Sequence, residues 1–486
     1  MFDWVLANIW TLLFVLNYIV ALSVMGFLLM HNKNPHTTMS YILALVVLPF
    51  VGIIIYLFFG QEYRKTKIFR RKHVFDNAKI KKWEKELLLD EEELEYYEDK
   101  FLDHKVRLVR LIQKNENSPL TFKNEVSVII NGENKFESLF ADLKKAQRHI
   151  HVEYYIIRND TIGNRLINIL CDKAEAGIDV RVSYDYVGSE LPSKLIKKMR
   201  KCGISIQPFM PVWFPNLTRK LNYRDHRKIV VIDGVIGYVG GVNVSDTYVN
   251  GLNDTYWRDT HLKIEGHAVK SLQSQFLLNW DFVCGEDESI EINDSIFPKV
   301  TQKGKVPVQI AASGPDTDWA NIMEAIFTAV NTAEEYVYIT TPYFIPNEPI
   351  LTALKAASRS GIDVRIMIPD IGDSWAAKYA SNSYLEGLLE SDVRVFRYCK
   401  GMLHAKTIVI DDSFATVGTS NMDYRSFNIN FEINALIYDN VTTQKLLSIY
   451  KDDLKECKEI SLDDWRNRPF GDKLKESFCR LWAPLL

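Results

Sequence analysis

The stretch NYRDHRKIVVIDGVIGYVGGVNVSD, residues 222–246, decides how the chain is read. It holds His226, Lys228 and Asp233, followed by Gly240 and Asn243. A second stretch, MLHAKTIVIDDSFATVGTSNMDYR at 402–425, holds His404, Lys406, Asp411, Gly418 and Asn421, each 178 residues after its counterpart. Five positions in one register mean two copies of a single unit, and a repeat has to be recognised before any other pattern.

In each copy the His and Lys are two residues apart, at the start of a short β-branched run, 229–232 or 407–410. On a strand they point to one face. Two copies brought together supply two imidazoles, two ammoniums and two amides around one point. That set suits displacement at a phosphodiester. One His attacks phosphorus and the other protonates the leaving oxygen. An ordinary imidazole pKa of about 6.5 suits both roles near neutral pH. Lys228, Lys406, Asn243 and Asn421 are the candidates to hold the phosphate oxygens. Lysines carry the positive charge, so neither a metal nor another cofactor is expected. Asp233 and Asp411 complete the catalytic candidate set, although an Asp at a strand end also reads as a turn-former or ion-pair partner.

Outward from these motifs, the chain alternates strand and helix. Strands are expected at 126–130, 149–157 and 179–184, with helices at 135–146 and 163–176 between them. The second half repeats this with strands at 306–311, 336–339 and 363–368 and helices at 319–332 and 349–360. GIDVR occurs at 177–181 and again at 361–365. The pattern predicts a tandem pair of α/β sandwich domains, 118–295 and 296–486, sharing one site. Six scattered Cys without a CxxC pair read as reduced thiols.

The N-terminus carries two apolar runs, 5–30 and 39–59, each near the ~20 residues that span a bilayer. Residues 1–60 are therefore expected to form a two-helix transmembrane hairpin, bent in its second span by Pro49 and Gly52. The basic residues that follow, among them Arg64, Lys65, Lys67, Arg70, Arg71 and Lys72, predict a multi-pass protein with both termini and the catalytic domains in the cytoplasm. Residues 61–117 read as a helical linker at the membrane surface, with an acidic run at 90–95. The loop Phe209 to Pro215, holding Trp213 and Phe214 near Lys194, Lys197, Lys198, Arg200, Lys201, Arg219 and Lys220, reads either as an interfacial or acyl-entry segment or as a loop packed on the core. The last helix, 473–482, is weakly amphipathic.

These motifs resemble those of the phospholipase D superfamily, and the flanking residues resemble bacterial-type cardiolipin synthases. The resemblance rests on Tyr256 to His261, Asn421 to Phe427, Asn430 to Glu432 and Arg480 to Leu486, together with the hairpin. It implies reversible phosphatidyl transfer between two phosphatidylglycerol molecules, giving cardiolipin and glycerol through a phosphatidyl-histidine, with His226 as nucleophile by the superfamily's usual order. It implies a bacterial cytoplasmic-membrane location and phosphatidylglycerol, cardiolipin and the lipid bilayer as partners. Nucleic acid is not expected, and a homo-oligomer stays open. It also implies a carboxylate in each half to orient its His: Asp259, 33 residues after His226, and Glu432, 28 after His404. A hydrolytic phospholipase D and a catalytically inactive membrane scaffold are the alternatives.

Overall fold

A computed structural model describes residues 8–31, 35–59, 87–97, 100, 102, 104–116, 118–211, 223–252, 254–284, 290–299 and 303–483. The basic segment after the second apolar run, Trp213, Phe214, Arg219, Lys220 and the last three residues lie outside the described residues, as do residues 285–289 and 300–302 on either side of the expected domain boundary.

The first half contributes strands β1 (Thr121–Ile130), β2 (His149–Tyr154), β3 (Asp179–Asp185), β4 (Ser205–Phe209), β5 (Lys228–Ile232), β6 (Ile236–Gly240), β7 (Trp257–Arg258) and β8 (Thr260–Gly266). The second contributes β9 (Val306–Ser313), β10 (Tyr336–Thr340), β11 (Phe344–Ile345), β12 (Asp363–Pro369), β13 (Arg394–Tyr398), β14 (Met402–Leu403), β15 (Thr407–Ile410), β16 (Phe414–Gly418), β17 (Met422–Asp423), β18 (Glu432–Ile437) and β19 (Cys457–Glu459).

Fifteen of these form one sheet in the order β19-β13-β12-β10-β15-β16-β18-β9-β1-β8-β6-β5-β2-β3-β4. The order reads as two copies of one pattern placed back to back, joined where β1 pairs antiparallel with β9 (Thr121↔Val308, Asn124↔Val306). β5 and β15 are buried along their whole length, because helices cover both faces. On one face, helices Ala268–Cys284 and Asn440–Leu454 bury Val269, Leu272, Leu446 and Tyr450 in a core drawn from both halves. On the other face each half has its own core. The mixed α/β fold with tandem units is thus as the hydrophobic periodicity implied.

Two regions differ from expectation. Helix Val106–Glu116, placed by its polarity in a surface linker, buries Leu108, Val109 and Ile112 in the core of the second half. Its charges lie on one side and its apolar residues at helical spacing on the other, so a polar composition concealed a packing face. At the N-terminus, helix Ile9–His31 contains a 22-residue apolar window, and it alone among the described residues is long and apolar enough to cross a membrane. The second run is not one continuous helix. It forms Pro35–Val47 and Val51–Phe59 around a break in which Phe50 has φ 63°. Pro49 has no N–H and clashes with a continuing helix. The buried Asn17 of the first helix accepts the Phe50 N–H at 2.8 Å, which satisfies a donor that hydrocarbon would leave unpaired.

Candidate active site

Each motif places its residues by the same local device. Lys228 opens β5, two residues after His226, and its Nζ donates to the His226 carbonyl at 2.6 Å. Lys406 donates to the His404 carbonyl at the same distance. The side-by-side imidazole and ammonium expected from strand periodicity are therefore present in both copies.

The carboxylates are exchanged between the halves. His226 Nδ1 lies 2.9 Å from Glu432 Oε2 and 3.0 Å from Oε1. His404 Nδ1 lies 2.7 Å from Asp259 Oδ2. Asp259 and Glu432 do orient the histidines, but each serves the other half's, which corrects the pairing within halves. The cause is backbone pairing. β14 runs parallel to β7 (Met402↔Trp257, Leu403↔Arg258), so the next residues, His404 and Asp259, come side by side. A parallel bridge of Asp225 to Phe431 does the same for His226 and Glu432, and the His226 N–H donates to the Phe431 carbonyl at 2.9 Å. Gly241 makes room for one carboxylate, since a Cβ there would stand 2.1 Å from Asp259 Oδ1. Thr419, its counterpart, instead donates to Glu432 Oε2 at 2.6 Å.

With Nδ1 tied to a carboxylate, each imidazole has Nε2 left for chemistry. Aromatic rings fix the rest of each imidazole's surroundings: Tyr155 meets His226 edge-on at 4.9 Å, and Tyr248 and Trp257 lie 5.4 Å from His404. No role for these rings was read in the sequence: Tyr155 falls inside the expected strand 149–157, just past the end of β2, and only the pairing of β7 with β14 brings Trp257 to His404.

Burial dominates the electrostatics. Desolvation holds Lys228 down to about 7 and Lys406 down to about 8, against the pull of Glu432 and Asp259. Desolvation and Lys406 push His404 down to about 4, and desolvation lowers His226 against the opposing effect of Glu432. Lys406 bears on His226 and Lys228 bears on His404. The two motifs therefore share one electrostatic site.

The other candidates separate. Asp233 and Asp411 lie at the far ends of β5 and β15, five residues or about 16 Å from the lysines. They do not join the site. The Asp233 carboxylate accepts N–H groups of Gln147, Arg148 and His149, and Asp411 those of Glu334, Glu335 and Tyr336. Both Asp residues adopt positive φ (53° and 48°) at their turns. Asp411 also meets the buried Lys105 at 3.2 Å. Their place is structural, the turn-forming alternative.

Asn243 is buried, accepts from the Ile156 N–H at 3.2 Å and donates to the Tyr248 hydroxyl at 2.6 Å. Asn421 donates to Asp423 at 3.0 Å, while its buried Oδ1 has no hydrogen-bond partner among the described residues. Desolvation raises Asp423 to about 6. Among the described residues no group of three or more His, Cys, Asp or Glu is arranged to hold a metal ion.

A back-to-back pair of α/β units with a His–Lys pair from each half in one site is the architecture of the phospholipase D class. The family model described as "Cardiolipin synthase, PLD-like domain" matches residues 139–280 and 326–454, and "Phospholipase_D-nuclease N-terminal" matches 6–61. The chain is 42% identical over 460 residues to a cardiolipin synthase of Alkalihalophilus pseudofirmus, covering 94% of this chain and 90% of that one. It is 40% identical over 486 residues to the major cardiolipin synthase ClsA of Bacillus subtilis, covering 98% of each. The crystal structure of phosphatidylserine synthase from Haemophilus influenzae shares the fold, with TM-score 0.60 and 17% identity over 78% of this chain and all of that one. The chain belongs to the cardiolipin synthase family of the phospholipase D superfamily.

Proposed function

We propose that the chain is a membrane-anchored phosphatidyltransferase that reversibly joins two phosphatidylglycerol molecules into cardiolipin and glycerol. The observation that carries this reading is the reciprocal pairing of His226 with Glu432 and His404 with Asp259, which leaves two Nε2 atoms flanked by two ammoniums.

His226 Nε2 attacks the phosphorus of the first lipid. The bond from phosphorus to the glycerol oxygen breaks, and that oxygen takes a proton from His404. A phosphatidyl-histidine remains and glycerol departs. The now neutral His404 takes the proton from a primary hydroxyl of the second lipid's headgroup. That oxygen attacks phosphorus, and the phosphorus–nitrogen bond to His226 breaks. Lys228, Lys406 and the Asn421 amide act on the non-bridging oxygens. His404 needs its proton for the first step, and the bound phosphate, held beside both imidazoles, supplies the negative charge that lifts His404 from its low value in the empty site. The basic residues after the apolar runs support a topology with both termini and the catalytic units in the cytoplasm.

The test uses purified protein and phosphatidylglycerol in detergent. Cardiolipin and glycerol are expected in equal amounts. Phosphatidic acid as the main product would mean hydrolysis, and no turnover would mean a scaffold. With lipid labelled in the phosphatidyl part, wild type quenched during turnover is expected to carry label on the protein and His226→Ala to carry none, and His226→Ala and His404→Ala are each expected to lose turnover by about 10³-fold.

A further inference from the structure

The two halves diverge on one side of the shared site. β11 runs parallel to β17 (Phe344↔Met422, Ile345↔Asp423), which sets Tyr343 beside Asn421 in register. The Met422 N–H donates to Thr341 Oγ1 at 3.2 Å, and that hydroxyl donates to the Tyr343 carbonyl at 2.9 Å, so the segment is held in place. The Tyr343 hydroxyl donates to the Asp373 carboxylate, 2.6 Å from Oδ1 and 2.7 Å from Oδ2. Asp373 lies in the exposed turn between β12 and helix Trp375–Leu389. It is close enough to bear on Lys406 and on Tyr248, the ring that packs against His404. Burial and Asp373 hold the Tyr343 phenol in its protonated, donating form.

The first half has no such pair. Val337 pairs with Ile410 as Ile150 pairs with Ile232, so Tyr343 corresponds to Ile156. The turn that holds Asp373, between β12 and helix Trp375–Leu389, is shorter than the turn between β3 and helix Ser193–Lys201, so Asp373 has no counterpart by register. Ser245 stands where the second half has Asp423. Two like units thus present an apolar side chain and a serine on one side, and a phenol and two carboxyl groups on the other.

A carboxylate beside a lysine-lined phosphate site repels the phosphate itself. It suits a neutral polyol held next to that phosphate, whose hydroxyls donate to it. We propose that Asp373 and Tyr343, with the unpartnered Oδ1 of Asn421, form a glycerol subsite on the His404 side that binds the headgroup hydroxyl not taking part in the reaction. This rests on the phosphatidyl-transfer reading, in which glycerol leaves and re-enters past His404. The subsite therefore serves both displacements and makes the enzyme select a polyol headgroup over a mono-alcohol or water.

The test compares cleavage of phosphatidylglycerol with cleavage of phosphatidylethanol, whose headgroup has no second hydroxyl, by wild type, Asp373→Asn and Tyr343→Phe in detergent. Cleavage of both lipids by wild type tests the underlying reading; the ratio tests the subsite. In wild type kcat/KM favours phosphatidylglycerol. Asp373→Asn is expected to reduce that preference about ten- to a hundredfold, leaving phosphatidylethanol cleavage near wild type and raising the share of phosphatidic acid among the products. Tyr343→Phe follows in the same direction with a smaller change. An unchanged ratio, or an equal loss on both lipids, overturns the proposal. Asp373 is exposed, so Asn there preserves the fold, and unchanged thermal unfolding checks this.

Discussion

The two halves share a scaffold and differ in what they set upon it. Seven strands of each half repeat about the β1–β9 seam, with β19 an extra edge strand of the second half, and each lysine bonds to its own histidine's carbonyl at the same distance. The residues around the histidines do not repeat. A Glu with a Thr hydroxyl supports His226, while an Asp with its carboxylate against Gly241 supports His404. Tyr343 and Asp423 stand where the first half has Ile156 and Ser245, and Asp373 lies in a turn that the first half builds with a different length. The common parts supply what displacement at phosphorus needs twice, an imidazole and a cation. The differing parts answer to what is not symmetric in the reaction: phosphorus becomes bonded to one histidine, and an alcohol comes and goes past the other.

The largest expected effect breaks the comparison at the exchanged carboxylates. Glu432→Gln is expected to behave as a lesion of the first half's histidine, slowing phosphatidyl-enzyme formation about 100-fold. Asp259→Asn acts through His404 and slows transfer to the acceptor by a similar factor. Double-mutant cycles on turnover decide it. Coupling belongs between 226 and 432 and between 404 and 259, and coupling within each half would refute the exchange.

A smaller effect concerns pH. Lys228 at about 7 and Lys406 at about 8 in the empty site lose their protons as pH rises, and with them the attraction for an anionic phosphodiester. The KM for phosphatidylglycerol is expected to rise about tenfold as pH passes through that window, equivalent to ~1.4 kcal/mol, within the range for a charge-assisted bond. A KM flat across it would mean that the lysines do not hold phosphate.

The smallest effect on turnover concerns the two strand-end aspartates. Each accepts three backbone N–H groups, and Asp411 also pairs with a buried lysine. Asp233→Ala is expected to lower unfolding stability by about 2 kcal/mol and Asp411→Ala by about 1 kcal/mol more, because the buried Lys105 loses its carboxylate and keeps the Thr332 carbonyl. Urea unfolding in detergent measures this. Retained turnover in the folded fraction fits a structural place, and lost turnover at unchanged stability would return these residues to the chemistry.

Much of this was legible in the chain. The matched spacing of His226, Lys228, Gly240 and Asn243 with their counterparts announced a repeat. The apolar runs at 229–232 and 407–410 announced buried strands, and the expected strands at 179–184 and 363–368 differ from β3 and β12 by one residue at their C-terminal ends. These features depend on periodicity and spacing, which a chain displays without being folded. Helix Val106–Glu116 was misplaced because composition hid its apolar face. The second apolar run was read as a bent span, and Pro49 breaks it into two helices.

What the sequence determined by itself is the chemical inventory, two imidazole–lysine pairs and the strands that carry them, while the two carboxylates were named through the family resemblance of the flanking stretches. Which carboxylate meets which histidine was decided only by the tertiary structure. Parallel pairing of Met402 with Trp257 and of Asp225 with Phe431 joins segments far apart in the chain. A hydrogen bond depends on which atoms come within about 3 Å, and distance along the chain places no limit on that once two backbones pair.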